Sequence, residues 1–513
     1  MSSSDGVALL PSQTSFEMSR FDIDETKSKT DDSNGSQPLG GGRRTWRKQV
    51  NFAFVALFTL TSFATMCQAS VVWGPQTRDL GWQFEQLNRG YAFSIAGQGL
   101  GCLLMIPVAI KFGRRPVYLF GVALSLCTSL WQAQMTSLHE LYTVSFLEGM
   151  AASLTEACVQ MTIADLFPVQ SRGTYNGMYI IAVSVGNFLI LVPAGAIVNQ
   201  WGWRAAYWAI GLFQMVELVA SLFLFEETKP GHVSGQKLSI YPRSSSKSDE
   251  EERETLVNDM ERHNSYDTER SASRGCIKCT DSFPHIPLVT VTPGWSSFFK
   301  SFYTPFVLLA SPIVAFAAIT YGFLLLALSM SSVVTSLKFA EAPYSMSPWS
   351  IGLVFISPFV GMTMGSFFGG YLSDWDIVRR TRLNSGVYSP QMRLKLIYPG
   401  LLAVTAGLLT FGISVSRGVH WVVPTLAFGA VSFGFGSVGS IVLTYLIDYK
   451  ESLAAQSLVA VVVVRNSICM VESFSLSPWV DSVGVDNVFI TAGCFSLIPI
   501  FLALAIELFH RKS

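Results

Sequence analysis

The sequence predicts an all-α membrane protein with twelve transmembrane helices in two six-helix bundles. Of the 513 residues, 50% are hydrophobic and only 14% charged, against about 25% charged in a soluble chain, and the mean hydropathy is +0.40. The apolar residues gather into runs, most of them long enough for the ~20 residues that a helix needs to cross a bilayer. Those runs come as six, a long polar break, and six more.

Residues 1–48 are rich in Ser, Asp, Gly and Lys and contain no apolar stretch. That excludes a cleaved signal peptide and predicts a disordered tail. The first bundle covers 49–225, with spans near 50–73, 91–110, 117–136, 140–163, 174–198 and 205–225. The break, 226–304, holds Ser244–Ser246 and the acidic run Asp249 to Glu252. Such a composition buries too little apolar surface to fold alone and reads as a flexible, solvated linker. The second bundle covers 305–510, with spans near 306–336, 350–372, 395–415, 420–446, 454–477 and 487–509.

Orientation follows from the short loops, because Lys and Arg are retained on the cytoplasmic side. The side of the N-terminal tail carries sixteen Lys and Arg next to the spans, the linker left out, and the opposite side five. Both termini and the linker are therefore predicted to be cytoplasmic. The sequon Asn34-Gly35-Ser36 then lies in the cytoplasm and stays unglycosylated.

Two loops echo each other. Lys111-Phe112-Gly113-Arg114-Arg115-Pro116 follows the second span, and Gly370-Tyr371-Leu372-Ser373-Asp374 with Arg379-Arg380 follows the eighth. Further along stand Ile163-Ala164-Asp165-Leu166-Phe167, Gly202-Trp203-Arg204, Phe225-Glu226-Glu227-Thr228-Lys229-Pro230, Pro343-Tyr344 and Arg382-Leu383-Asn384-Ser385-Gly386. Over residues 46–510 this set resembles the major facilitator superfamily and, within it, the fungal twelve-span drug:proton antiporter branch. That family's inter-span loop reads roughly Gly-x-Leu-x-Asp-Arg-x-Gly-Arg-Arg. The first copy here keeps Gly-Arg-Arg with Ile110 in place of Asp, and the second keeps Gly-x-Leu-x-Asp. The resemblance implies two bundles around a central cavity, alternating access, and a cytoplasmic gate built from Lys111, Gly113, Arg114, Arg115, Asp374, Arg379 and Arg380. Physically, an Asp at a helix end facing Arg makes charge-assisted bonds that latch one side. Two features depart from the family. Ser145 stands where it often has Arg, and Ile190-Leu191 where it has Gly-Pro.

Ionisable residues within spans are the best site candidates, since a charge at a span centre costs roughly 2.5–3.5 kcal/mol on insertion scales and needs a partner, water or a proton. Glu148 and Glu156 lie in the fourth span, which lines the cavity in the family fold, with Gln160 one turn beyond Glu156. Either Glu can carry the coupling proton, or serve as a neutral structural donor. Arg465 sits mid-way along the eleventh span beside Asn466. Glu472 is seven residues on, about 10 Å along the axis, so Arg465 is expected to meet a carboxylate of another span or an anionic part of a substrate. Glu217 in the sixth span reads as structural. Gln68, Asn187, Tyr321 and Tyr445 join Gln160, Arg465 and Asn466 as candidates for binding a bulky amphipathic ligand. Gly429, Gly434, Gly436 and Gly439 make the tenth span a packing or hinge element.

Other classes are excluded. Net charge is zero, which argues against nucleic-acid binding. The P-loop pattern for ATP is absent, and His139, His232, His263, His285, His420 and His510 are scattered. Cys276-x-x-Cys279 has no second pair to complete a zinc site. Neither enzyme activity nor a metal or cofactor is predicted. The expectation is a monomeric, proton-coupled secondary transporter that exports an amphipathic small molecule such as a drug, toxin or secondary metabolite. Proton-coupled uptake of a nutrient or polyamine, or a non-transporting sensor, are the alternatives. The expected location is the plasma membrane, with the vacuolar membrane as the alternative suggested by the acidic dileucine pattern Asp5 to Leu10.

Overall fold

The structure is a computed structural model that describes residues 41–167, 169–228, 295–383, 390–449 and 454–512. Eleven helices among the described residues are long and apolar enough to cross a membrane. Spans 1, 2 and 3 are Trp46–Leu80, Phe84–Phe112 and Arg115–Gln134, and spans 5 and 6 are Tyr175–Trp201 and Trp203–Leu224. Spans 7 to 12 are Pro312–Lys338, Pro348–Ile377, Arg393–Ser416, Val422–Leu446, Gln456–Val483 and Val485–Glu507. Span 4 completes the twelve in two pieces, Leu138–Ala152 and Leu154–Leu166. At the junction the Ser153 hydroxyl donates to the Met150 carbonyl at 2.7 Å, a local bond that competes with the helix ladder. The Cys102 thiol donates to the Ser153 carbonyl at 3.1 Å.

Two boundaries differ from expectation. Helix begins at Gly41, so the last eight residues of the expected tail extend span 1, and Arg47 among them pairs with Glu226 at 3.5 Å. Residues 295–304 of the expected linker belong to a separate helix, Trp295–Leu308. Its aromatic run is too short to span a membrane. It packs instead on spans 2 and 11, with the Lys111 ammonium 5.2 Å from the Phe298 ring centre. Span 7 then starts at Pro312, the first helical position, where a missing N–H costs nothing. The dileucine pattern, the Asn34 sequon, Ser244–Ser246 and Cys276-x-x-Cys279 lie outside the described residues.

The halves repeat one packing plan. Span 2 lies on span 4 as span 8 lies on span 10, and span 3 on span 6 as span 9 on span 12. Between the halves, span 2 meets span 11 and span 5 meets span 8, which are the same contact under the two-fold exchange. Glycine makes the closest of these possible, because helix backbones touch only where a side chain is missing. A Cβ on Gly97 would overlap the Phe146 carbonyl oxygen, and one on Gly149 the Ser94 carbonyl oxygen. Gly361, Gly365 and Gly369 meet the backbones of Gly429, Phe433 and Ser437 in the same way. Across the seam, a Cβ on Gly195 would lie 2.5 Å from the Pro348 carbonyl oxygen and one on Gly352 2.6 Å from that of Leu191. These last contacts lie at the end of the spans opposite Gly41, called the far side below; the Gly41 end is the tail side.

Gly149→Ala and Gly365→Ala each force a methyl into a backbone carbonyl and are expected to lower stability by about 1–3 kcal/mol. Gly177→Ala, with open space around its Cβ, is the control. Thermal unfolding of the detergent-purified protein checks this, and equal midpoints for all three variants would contradict it.

Candidate functional site

The seam between the bundles is pinned at its centre by an ion pair. Glu156, in the first turn of the second half of span 4, meets the Arg465 guanidinium of span 11 at 2.8 Å, with side-chain exposures of 9% and 4%. Each partner is supported from its own bundle. The Gln98 amide of span 2 donates to Glu156 at 3.2 Å. Arg465 donates twice to the Asn466 side-chain oxygen, at 3.2 and 3.1 Å, and lies over the Tyr321 ring of span 7 at 5.1 Å. Tyr321 packs in turn on Phe435 of span 10. The Tyr179 hydroxyl of span 5 donates to the carbonyl of Thr155, the residue before Glu156. A buried pair is a poor source of net stability, but removing one member strands a charge.

Of the expected site residues, Glu156, Tyr321, Arg465 and Asn466 come together here. Gln160 is half-buried one turn along span 4. The Asn187 side-chain oxygen accepts from the Cys67 thiol at 3.1 Å, joining span 5 to span 1. Gln68 and Tyr445 are buried, at 2% and 1% exposure, without a described bond to the ion pair. Glu148 stays apart from it. Its carboxyl accepts from Gln132 of span 3, inside the first bundle. Glu217, likewise buried, accepts from Thr61 at 2.8 Å. Sequence reading overlooked Gln98 and Tyr179, because neither type in an apolar helix signals a site until the fold sets it beside a charge.

The loop after span 2 is tied down by carboxylates that come from elsewhere in the chain. Arg114 pairs with Asp165, at the tail-side end of span 4, at 3.1 Å. Glu227, just past span 6, accepts from the backbone N–H groups of Arg114 at 2.9 Å and Arg115 at 3.1 Å. An anion is thereby set on the positive N-terminus of span 3. Gly113 is required at the turn. Its φ is +103°, and a Cβ there would overlap the Glu227 carboxylate. The Arg115 guanidinium donates to the Leu222 carbonyl at 3.0 Å. Asp165 and Glu227 thus bring carboxylates to this loop, in which Ile110 stands at the acid position of the family pattern.

In the second copy both expected arginines have partners on their own helix. Arg380 pairs with Asp376, one turn earlier on its own helix, and Arg379 lies over the Trp375 ring at 5.6 Å. The Asp374 side chain is outside what is described.

Twelve spans in two like halves, with a charged pin on the axis between them, define a secondary carrier of the two-bundle kind. The chain belongs to the Major Facilitator Superfamily, whose family model matches residues 52–471. It is similar to an uncharacterised MFS-type transporter of Schizosaccharomyces pombe, 25% identical over 495 residues that cover 91% of this chain and 84% of that protein. Protein HOL1 of Saccharomyces cerevisiae is 23% identical over 490 residues, covering 87% and 83%. The MFS antiporter QDR3 of Candida albicans is 23% identical over 553 residues, covering 90% and 78%. The protein is a multi-pass membrane transporter and not an enzyme.

Glu156→Gln leaves Arg465 buried without its counter-charge and is expected to cost about 3–5 kcal/mol, whereas Glu156→Leu combined with Arg465→Met recovers most of that loss. Thermal midpoints in one detergent measure both; a double variant no more stable than the single one would contradict the pairing. At the loop after span 2, Glu227→Gln removes the charge on the span 3 N-terminus and should cost about 1–2 kcal/mol. Salt should reduce that difference, since this carboxylate is only half-buried.

Proposed function

We propose that this protein is a proton-coupled secondary transporter that exports an amphipathic small molecule by alternating access, with Glu156 as the coupling residue. The observation that carries the reading is the Glu156–Arg465 pair, 2.8 Å across the bundle seam. In an alternating-access carrier the seam must open on one side at a time. A proton on Glu156 cancels its attraction for Arg465, leaving Arg465 held by Asn466 and Tyr321 on its own bundle. The bundles then part at low cost. When the proton leaves, the pair re-forms and draws them together. A buried carboxylate whose cationic partner among the described residues belongs to the other bundle couples proton binding to bundle separation.

Names of relatives support transport, and one of them exchange. One is called an MFS antiporter, QDR3, and two others are MFS transporters of Aspergillus species, tndD and cpaT. Aromatic and amide groups near the pair, Tyr321, Tyr179 and Gln98, suit a ligand with an apolar body and a few polar atoms. Both termini face the cytoplasm on this reading, by the excess of Lys and Arg on the tail side. The protein acts as a monomer in the plasma membrane, and the tail and linker serve as tethers.

The test is flux in proteoliposomes of known orientation under an imposed pH gradient, with a fluorescent amphipathic dye as probe. The wild type is expected to move dye against the proton gradient, and Glu156→Gln, compared at equal folded protein, to lose at least tenfold of the gradient-driven rate. Dye movement along with the protons would make the protein an importer. Absence of flux for any probe from a folded wild type would leave the sensor reading.

A further inference from the structure

Span 11 carries a second buried carboxylate that the coupling pair does not use. Glu472 lies two turns beyond Arg465 toward the far side and is 7% exposed. One of its oxygens accepts from the Ser473 hydroxyl at 3.2 Å and faces the Cys469 thiol at 3.8 Å. The other oxygen has no partner. Among the described residues no ion pair reaches it. The nearest span 11 cation, Arg465, is held by Glu156, and at the far side Arg89 pairs with Glu85 and Lys338 with Glu341.

The first bundle brings a matching deficit to the same place. Asn88 of span 2, 1% exposed, donates its side-chain N–H to the Ser473 carbonyl at 2.6 Å. That bond fixes the amide next to Glu472 and leaves its oxygen buried without a donor. Tyr91, one turn along span 2 on the same face, lies within electrostatic reach of Glu472 and beside Ser329 of span 7. The Trp73 ring of span 1 stands edge-on to Tyr91 at 6.4 Å.

We infer that Glu472, Asn88 and Tyr91 form a recognition site for a primary or secondary ammonium carried on an apolar body. The Ser329 hydroxyl of span 7, itself unbonded beside Glu472, can supply one donor. The Glu472 carboxyl and the Asn88 oxygen are nevertheless acceptors and one is formally anionic, so what completes the site brings further N–H donors and positive charge. The aromatic rings favour a cation over a neutral donor. A divalent metal is a poor fit, since it takes six or more oxygen ligands and the described residues hold no cluster of three or more metal-binding side chains. A bound proton alone satisfies Glu472 and leaves the Asn88 oxygen bare. The seam position, shared by spans 1, 2, 7 and 11, puts the ligand where bundle movement exposes it. This deepens the transporter reading by naming its substrate class, and rests on that reading for what becomes of the ligand after binding.

The test is binding to the full chain in nanodiscs, read by calorimetry, with three probes of one shape: phenethylammonium, its N,N,N-trimethyl analogue and phenethyl alcohol. Phenethylammonium is expected to bind at least tenfold more tightly than either of the others. Glu472→Gln should abolish that preference, with about a tenfold to hundredfold loss for the ammonium alone. Should Glu472→Gln fail to fold, Glu472→Asp keeps the charge and should keep the preference, whereas Asn88→Ala should erode the preference for N–H over N-methyl. Equal binding of the three probes by the wild type overturns the inference. So does an unchanged ammonium preference in folded Glu472→Gln, or proton uptake without probe binding. Binding needs no gradient: a protein that binds the ammonium yet moves no probe sinks the transport reading and leaves this site standing.

Discussion

Everything along the seam depends on one constraint: a full positive charge sits where the two bundles meet, and it must be answered. Arg465 cannot shed its proton, and at 3% exposure it cannot reach bulk water. Glu156 answers it from the other bundle at 2.8 Å. Buried pairs add little net stability once desolvation is counted, so the pair is better understood as a specification. It fixes which turn of span 4 faces which turn of span 11. Gln98, Asn466 and Tyr321 then complete a shell that belongs to both halves.

The glycine contacts make that specification mechanically useful. Within each bundle, spans 2 and 4, and spans 8 and 10, approach until backbone meets backbone. Such interfaces have no soft side chains to compress, so each bundle moves as a block. Between bundles the close glycine contacts at Gly195 and Gly352 sit at the far side. The centre is held by the ion pair. On the proposed reading, a rigid block with a charged pin at its centre lets a single proton change the interface, because little within the block yields first.

The periodic part of this was legible in the sequence. Span number, halves, and the break between them follow from length and hydropathy, which are local properties. Arg465 in an apolar helix likewise announced that it needs an anion, a carboxylate of another span or part of a substrate. Which carboxylate was not legible: Glu148 and Glu156 lie eight residues apart on one helix, and only the packing of span 4 turns Glu156 to the seam and Glu148 to Gln132. The loop after span 2 shows the same limit. Gly113, Arg114 and Arg115 stood out as a motif, but Asp165 and Glu227 join them from 51 and 113 residues away from Arg114, and no spacing rule links them. The helix Trp295–Leu308 was missed because most of its residues read with the polar break before them and its last few with the apolar span that follows.

Charge accounting along span 11 carries the synthesis one step further. Arg465 and Glu472 lie on one helix, share one face, and are both buried, yet about 10 Å of rise keeps them from neutralising each other. Glu156 therefore cancels Arg465, and Glu472 remains as the surplus. Were that surplus only a structural flaw, a glutamine there would serve as well, since Ser473 and Cys469 donate equally to a neutral amide oxygen. On the inference drawn above, the acid is there because something positive arrives and leaves again. On the proposed reading, one seam thus holds two carboxylates with separate tasks: one bound to a fixed cation that a proton can release, and one left open to a mobile cation that the released bundles can carry across.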